Sequence, residues 1–134
     1  MPDKVFLDTN ILLYAFSTKD INKHNIAKNI VLSQAVISTQ VINEVAVNLI
    51  KKFDFSEDNI QKFLSSSYSR YYVVGLDYDV FSAASDLRKK YMFSYYDSLI
   101  VSAALASHCT ILYSEDMHHD LLIENKLRII NPFK

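Results

Sequence analysis

The sequence predicts an α/β fold of three layers, α/β/α, around a central, mainly parallel sheet. Three observations lead there. Short apolar runs of three or four residues alternate along the chain with longer segments of helical spacing. The runs are brief and show no alternating pattern, as expected of strands covered on both faces. The chain of 134 residues holds one Gly and two Pro, so its turns must draw on Asn, Asp and Ser and its loops should be short.

The elements follow in order. Val5-Phe6-Leu7 reads as a buried strand, Asp8-Thr9-Asn10 as a turn of capping residues, and Ile11 to Phe16 as a helix. Residues 22–33 form a helix with Ile26, Ile30 and Val31 at core spacing. Ala35-Val36-Ile37-Ser38 is a second strand. From Thr39 the period changes. Val41, Val45, Leu49 and Phe53, flanked by Ile42, Ala46 and Ile50, make a wide apolar stripe, and Gln40, Glu44 and Asn48 form a polar row on another face. Residues 56–69 are an amphipathic helix with Ser56 as N-cap. Tyr71 to Val74 is a strand closed by Gly75. Residues 78–92 are helical, with Val80, Phe81, Ala84, Leu87 and Tyr91 on one side. Ser94 to His108 is a helix apolar nearly all round, the mark of one buried in protein. Thr110 to Tyr113 is a strand, Ser114-Glu115-Asp116 a turn, and Leu127 to Ile130 the last strand.

The length lies near the ~150 residues that suit one domain, so residues 1–134 are expected to form a single one. Half the residues are apolar and 22% are charged, which excludes disorder. No apolar run approaches the ~20 residues of a spanning helix, and no charged lead precedes a long apolar stretch, so neither a membrane segment nor a secretory signal is expected. Fourteen Lys and Arg stand against fifteen Asp and Glu, a formal charge of −1. Nucleic acid cannot be held here by bulk charge; any grip must be local or metal-assisted. Cys109 is the sole cysteine, which excludes an internal disulfide and a Cys-rich zinc site and fits a reducing, cytoplasmic location.

Open parallel sheets bind ligands outside the carboxyl ends of their strands. Asp8 ends the first strand. Glu44 lies in the helix after the second. Asp116 follows the strand of residues 110–113. Asp97 opens the buried helix that leads into that strand, and such a helix begins at the same edge. Four acids from distant stretches therefore converge. Like charges at close range raise one another's pKa. Helix N-termini near Asp8 and Asp97 ease the repulsion, and a divalent cation eases it far more. Mg²⁺ and Mn²⁺ favour oxygen ligands and suit phosphodiester hydrolysis. Singly, each acid has a plainer reading. Asp8 can cap a helix, Glu44 can face solvent beside Gln40 and Asn48, Asp97 can close a Ser94-x-x-Asp97 capping pattern, and Asp116 can serve a turn. The shared edge is what sets them apart.

At these residues the sequence resembles the PIN-domain family, in particular the VapC-like ribonuclease toxins of toxin–antitoxin pairs. The matching stretches are Phe6-Leu7-Asp8-Thr9-Asn10-Ile11-Leu12, Ser38 to Val45, Tyr96-Asp97-Ser98-Leu99 through Ala104, and Leu112-Tyr113-Ser114-Glu115-Asp116. The closing Ile129-Ile130-Asn131-Pro132-Phe133 also looks like the family's usual end. The resemblance implies a PIN-like fold and a Mg²⁺- or Mn²⁺-dependent endoribonuclease with Asp8, Glu44, Asp97 and Asp116 as catalytic acids. Asp8, Asp97 and Asp116 would hold metal, supported by Thr9, Asn10 and Ser114. Ser114 stands where the family commonly has Thr, and the hydroxyl is kept. An RNA substrate, a cognate antitoxin and a homodimer are further implications.

Other signals point elsewhere. His118-His119 suggests a metal site, but neighbours on a helix face different ways and the metal argued here prefers oxygen. Tyr68, Tyr71, Tyr72, Tyr91, Tyr95 and Tyr96 are assigned mostly to core and strand positions, although aromatic faces can stack bases. Lys51-Lys52 and Arg88-Lys89-Lys90 read as solvated helix ends. Three rival functions remain. A phosphotransferase with Asp8 as nucleophile is disfavoured by Asn10, where such enzymes place a second Asp. A PIN-like nuclease could act on other nucleic acid without an antitoxin. A non-catalytic interaction module would use its acids only as caps.

Overall fold

β1 (Val5–Leu7) occupies the middle of a six-stranded sheet whose strand order is β3-β2-β1-β4-β6-β5. The computed structural model describes residues 2–134; Met1, part of the expected domain, lies outside them. After β1 come α1 (Thr9–Phe16), α2 (Ile21–Val31), β2 (Val36–Ser38), α3 (Thr39–Phe53), α4 (Glu57–Arg70) and β3 (Tyr72–Val74). The chain then returns through α5 (Tyr78–Tyr91) and α6 (Tyr95–Ala106) to β4 (Ile111–Tyr113), β5 (Leu122–Ile123) and β6 (Leu127–Ile130). The first five strands in the order pair in parallel, and only β5 runs antiparallel, against β6. Helices flank the sheet to give the expected three-layer α/β/α architecture.

This order has a functional consequence. The chain steps outward from β1 through β2 to β3, then starts again on the other side of β1 with β4. The seam between β1 and β4 is thus the point where the winding reverses, the usual ligand crevice of such sheets. The two strands are tightly registered there: Leu7 lies opposite Tyr113, and the amide of Asp8 donates to the Tyr113 carbonyl at 3.0 Å.

The strands are brief, and the central ones are buried. Phe6, Leu7, Ile37, Leu112 and Ile129 are fully enclosed, and α3 supplies Val41, Val45 and Leu49 to the same core. Every one of the six helices is N-capped by an Asp or Ser side chain: Asp8, Asp20, Ser38, Ser56, Asp77 and Ser94. These oxygens take up helix N–H groups that would otherwise lack partners. Among the described residues, no helix is long and apolar enough to cross a membrane.

Several expectations need correction. In α2, Ile26 lies at the surface and Ala27 is the buried residue; a small side chain there lets α2 lie close on α1. Phe81 of α5 is 42% exposed, so it sits at the rim of the face built by Val80, Ala84 and Leu87. The antiparallel β5 has no counterpart in the sequence reading. It is joined to β6 through Glu124 and Asn125, both at positive φ (51° and 55°), the conformation that tight hairpin turns require. Asp54, Met92, His108 and Asp120 also take positive φ, while Gly75 does not. With glycine so scarce, non-glycine residues make the left-handed turns.

Candidate active site

Asp8 sits at the end of β1 and is held from two sides. Its Oδ1 accepts the Thr9 amide at 2.7 Å, and its Oδ2 accepts the Ser114 hydroxyl at 2.8 Å from across the β1–β4 seam. Ser114 follows β4 directly and is itself fixed by donating its amide to the Ile130 carbonyl. The carboxylate is buried, and burial is the main reason its pKa rises from 3.8 to about 6. The Ser114 and Thr9 hydrogen bonds oppose that rise, while the charges of Asp97 and Glu44 add to it.

Glu44 reaches the same place from α3. Its Oε2 accepts the Thr9 hydroxyl at 2.6 Å, and its Oε1 accepts from Gln40 at 3.1 Å. Asp116 comes from the loop after β4, and its Oδ2 accepts from the Asn10 amide at 2.6 Å. Asp97 lies in the first turn of α6, where its backbone N–H donates to the N-cap Ser94. Its pKa is raised, chiefly by partial burial; the Ser94 hydroxyl counters this, and the Asp116 and Glu44 charges reinforce it. All four acids line one cleft of about 360 Å³. The geometry thus brings together every residue singled out from the sequence: the acids on the cleft, and Thr9, Asn10 and Ser114 as their hydrogen-bond partners.

Other lining residues went unrecognised. Gln40, Asn43, Asn48, Lys52 and Tyr96 also face the cleft. The signal for part of this set was present: the row Gln40, Glu44, Asn48 has i,i+4 spacing, and Lys52 extends it by one more step. The row faces the cleft, and the apolar stripe of α3 faces the core.

The loop bearing Asp116 is anchored by its neighbour. Glu115 accepts the Tyr14 hydroxyl at 2.6 Å and forms an ion pair with Lys23. The Lys23 ammonium also lies over the rings of Tyr14 and Phe133, and Asn131 donates to the Glu115 carbonyl. Residues of α1, α2 and the C-terminal segment therefore fix the loop. Two of the histidines have structural roles: His119 Nδ1 accepts the Asn131 amide, and His24 Nδ1 contacts the Tyr14 carbonyl. Of the tyrosines, Tyr71 donates its hydroxyl to the Val31 carbonyl and Tyr72 lies on strand β3 as expected, with its ring exposed, whereas Tyr68, Tyr95 and Tyr96 are exposed on helices, contrary to the core and strand assignment.

Among the described residues, no three acidic, histidine or cysteine side chains stand together as a ready-made ion cage. Thr9, Ser114, Gln40 and Asn10 each donate a hydrogen bond to one of the carboxylates. The donor set nevertheless fits a hydrated divalent cation. It is all oxygen, burial and, to a lesser degree, the neighbouring acids raise the pKa values of Asp8 and Asp97, and Gln40 Oε1 is buried with no hydrogen-bond partner, free to accept from a metal-bound water.

Comparison with known proteins agrees with this architecture. A family model described as PIN domain matches residues 5–122. A search of curated proteins finds no match. The fold is similar to a toxin–antitoxin complex from Klebsiella pneumoniae, with TM-score 0.70 and 19% identity, covering 96% of this chain and 98% of that one. It is similar to VapC20 of Mycobacterium tuberculosis, described as a sarcin–ricin loop cleaving toxin, with TM-score 0.69 and 17% identity over 84% of this chain and 90% of that one. A third similar structure is VapBC2 from Rickettsia felis bound to a promoter DNA fragment, with TM-score 0.66 and 21% identity over 93% of this chain and 96% of that one.

Proposed function

Because the chain belongs to the PIN-domain family, a family of nucleases, we propose that it is a metal-dependent endoribonuclease and the toxin of a toxin–antitoxin pair. The observation that carries this reading is the cleft. Four carboxylates from four separate stretches line it at the β1–β4 seam, and Asp8, Glu44 and Asp116 each accept a side-chain hydrogen bond there.

Asp8, Asp97 and Asp116 would hold Mg²⁺ or Mn²⁺, which when bound supplies Lewis-acid stabilisation of charge on the scissile phosphate and lowers the pKa of water. The protein's own groups do the rest. Thr9 and Ser114 fix both oxygens of Asp8 so that the carboxylate is oriented before any ligand arrives. Asn10 holds Asp116 at the cleft. Glu44, positioned by Thr9 and Gln40, either completes the ion's surroundings or accepts the proton of the attacking water. The apolar Leu13, Val47 and Ile100 share the lining of the cleft, which lowers the local polarity and strengthens every charge interaction there.

The reading extends to partners. Two of the similar structures described above are toxin–antitoxin assemblies, which supports a cognate antitoxin for this chain. A homodimer, a single domain over the whole chain and a cytoplasmic site of action complete the proposal.

The test is cleavage of RNA by the purified protein in Mg²⁺ or Mn²⁺. Asp8→Asn and Asp97→Asn should each abolish cleavage while leaving circular dichroism unchanged. Full activity in either variant, or in excess chelator, would overturn the reading. Equal or better cleavage of single-stranded DNA of the same sequence would shift the substrate away from RNA.

A further inference from the structure

α3 presents a row of four polar residues to the cleft: Gln40, Glu44, Asn48 and Lys52. Twelve residues of helix span ~18 Å, so the ends of this row lie far apart. At one end, Gln40 Nε2 donates to the carbonyl of Tyr96 at 3.3 Å, which places Tyr96 there. At the other end stands Lys52 in the last turn of α3. Glu44 lies between, and Asp8, Asp97 and Asp116 share the same cleft.

Each end has its own character. Tyr96 is 65% exposed, so core packing does not account for its ring. It is braced by its neighbours. The Arg88 guanidinium, fixed by a 2.8 Å bond to Ser98, lies 4.7 Å from the Tyr95 ring centre. Tyr95 in turn meets Tyr96 edge-on at 5.6 Å. The Lys52 end opens into a second groove of about 480 Å³, which shares Asn10, Leu13 and Lys52 with the acid cleft and continues to Ser17, Thr18 and Lys19. A chain with formal charge −1 thus places two lysines along one exit from its acidic centre.

Building on the nuclease reading, we propose that single-stranded RNA crosses the acid cleft with a fixed direction, stacking a base on Tyr96 at one end and passing backbone phosphates along Lys52 and Lys19 at the other. Aromatic faces stack unpaired bases of any sequence, and ammonium groups pair with phosphate. The intervening Gln40, Asn43 and Asn48 offer hydrogen bonds to sugar and base.

The test uses a fluorescent 12-nucleotide RNA, with binding read by anisotropy in Ca²⁺ and cleavage read in Mn²⁺. Tyr96→Ala should weaken binding and raise KM roughly 5- to 100-fold with little change in kcat, and Tyr96→Phe should restore both. Lys19→Gln with Lys52→Gln should weaken binding and flatten its dependence on salt by about 1.4 units of log–log slope, ~0.7 for each phosphate contact to a single strand. An abasic nucleotide on one side of the cleaved bond should cost the wild type affinity, and that penalty should vanish in Tyr96→Ala. A wild type that cleaves, with variants that bind as it does, would overturn the track alone. A wild type that does not cleave, with variants that bind more weakly, would overturn the nuclease reading and leave the track as an RNA-binding surface. Variant melting temperatures within about 2 °C of wild type guard against unfolding as the cause.

Discussion

The hydroxyl of Thr9 donates a 2.6 Å hydrogen bond to Oε2 of Glu44, 35 residues away in the chain. The amide of the same Thr9 donates to Asp8 at 2.7 Å. One residue therefore positions two of the four acids, and it does so with two separable groups. Thr9→Val removes the hydroxyl but keeps the amide, so Asp8 stays capped while Glu44 loses a donor. Outer partners of metal-binding groups are typically worth 10- to 100-fold in affinity or activity. A loss of that order is expected in Mn²⁺-supported cleavage, with Thr9→Ser recovering most of it. Cleavage by Thr9→Val at the wild-type rate would show that Glu44 needs no positioning.

Asp8 binds a proton more tightly in the folded protein, where its pKa is about 6, than at its ordinary 3.8. Protonation therefore favours the fold. Its stabilising contribution is complete below about pH 4 and lost as pH rises through about 6, to an extent on the order of 3 kcal/mol. Without metal, the protein should melt at progressively lower temperature across that window. Asp8→Asn should flatten the profile and be the more stable protein at pH 7. Mn²⁺ at 100 times its Kd adds about 2.7 kcal/mol to the wild type and should nearly close the gap at pH 7, and at 1,000 times its Kd it adds about 4.1 kcal/mol and should reverse the order. Melting curves at a series of pH values, with chelator and with Mn²⁺, measure all three effects.

Tyr14 and Lys23 hold Glu115, the residue beside Asp116. Tyr14→Phe deletes one donor to a partly buried carboxylate and should cost about 1 kcal/mol of stability. It should also weaken Mn²⁺ binding by loosening the loop. Chemical denaturation measures the first effect and calorimetric titration the second. A variant that is less stable but binds Mn²⁺ as the wild type does would confine the anchor to a structural role.

The strands and the acids at their ends were legible because their signals are local. Val5-Phe6-Leu7 followed by Asp8 is an apolar run with an abrupt polar stop, and Ser94 three residues before Asp97 marks a helix start. What escaped depends on relations that no short window holds. The row of Gln40, Glu44 and Asn48 looks the same whether it faces water or a cleft; the Thr9–Glu44 bond decides, and it spans two helices. Tyr96 and Tyr71 are the same residue type, and only the packing makes one a surface ring and the other a donor to the Val31 carbonyl. The hairpin of β5 and β6 went unseen because its turn uses Glu124 and Asn125 where glycine would have announced it.

That hairpin also determines how the sheet ends. β5 is two residues long, and its turn is tied down where Lys90 and Tyr91 contact the Glu124 carboxylate at 3.1 and 2.9 Å. At the opposite margin, β3 has only three residues, and the Lys4 ammonium lies over the exposed Tyr72 ring. An incoming chain finds two or three backbone groups to pair with on either side and a cation at one of them. Short borders of this kind disfavour edge-to-edge pairing between copies, which offsets the hazard of a strongly apolar centre.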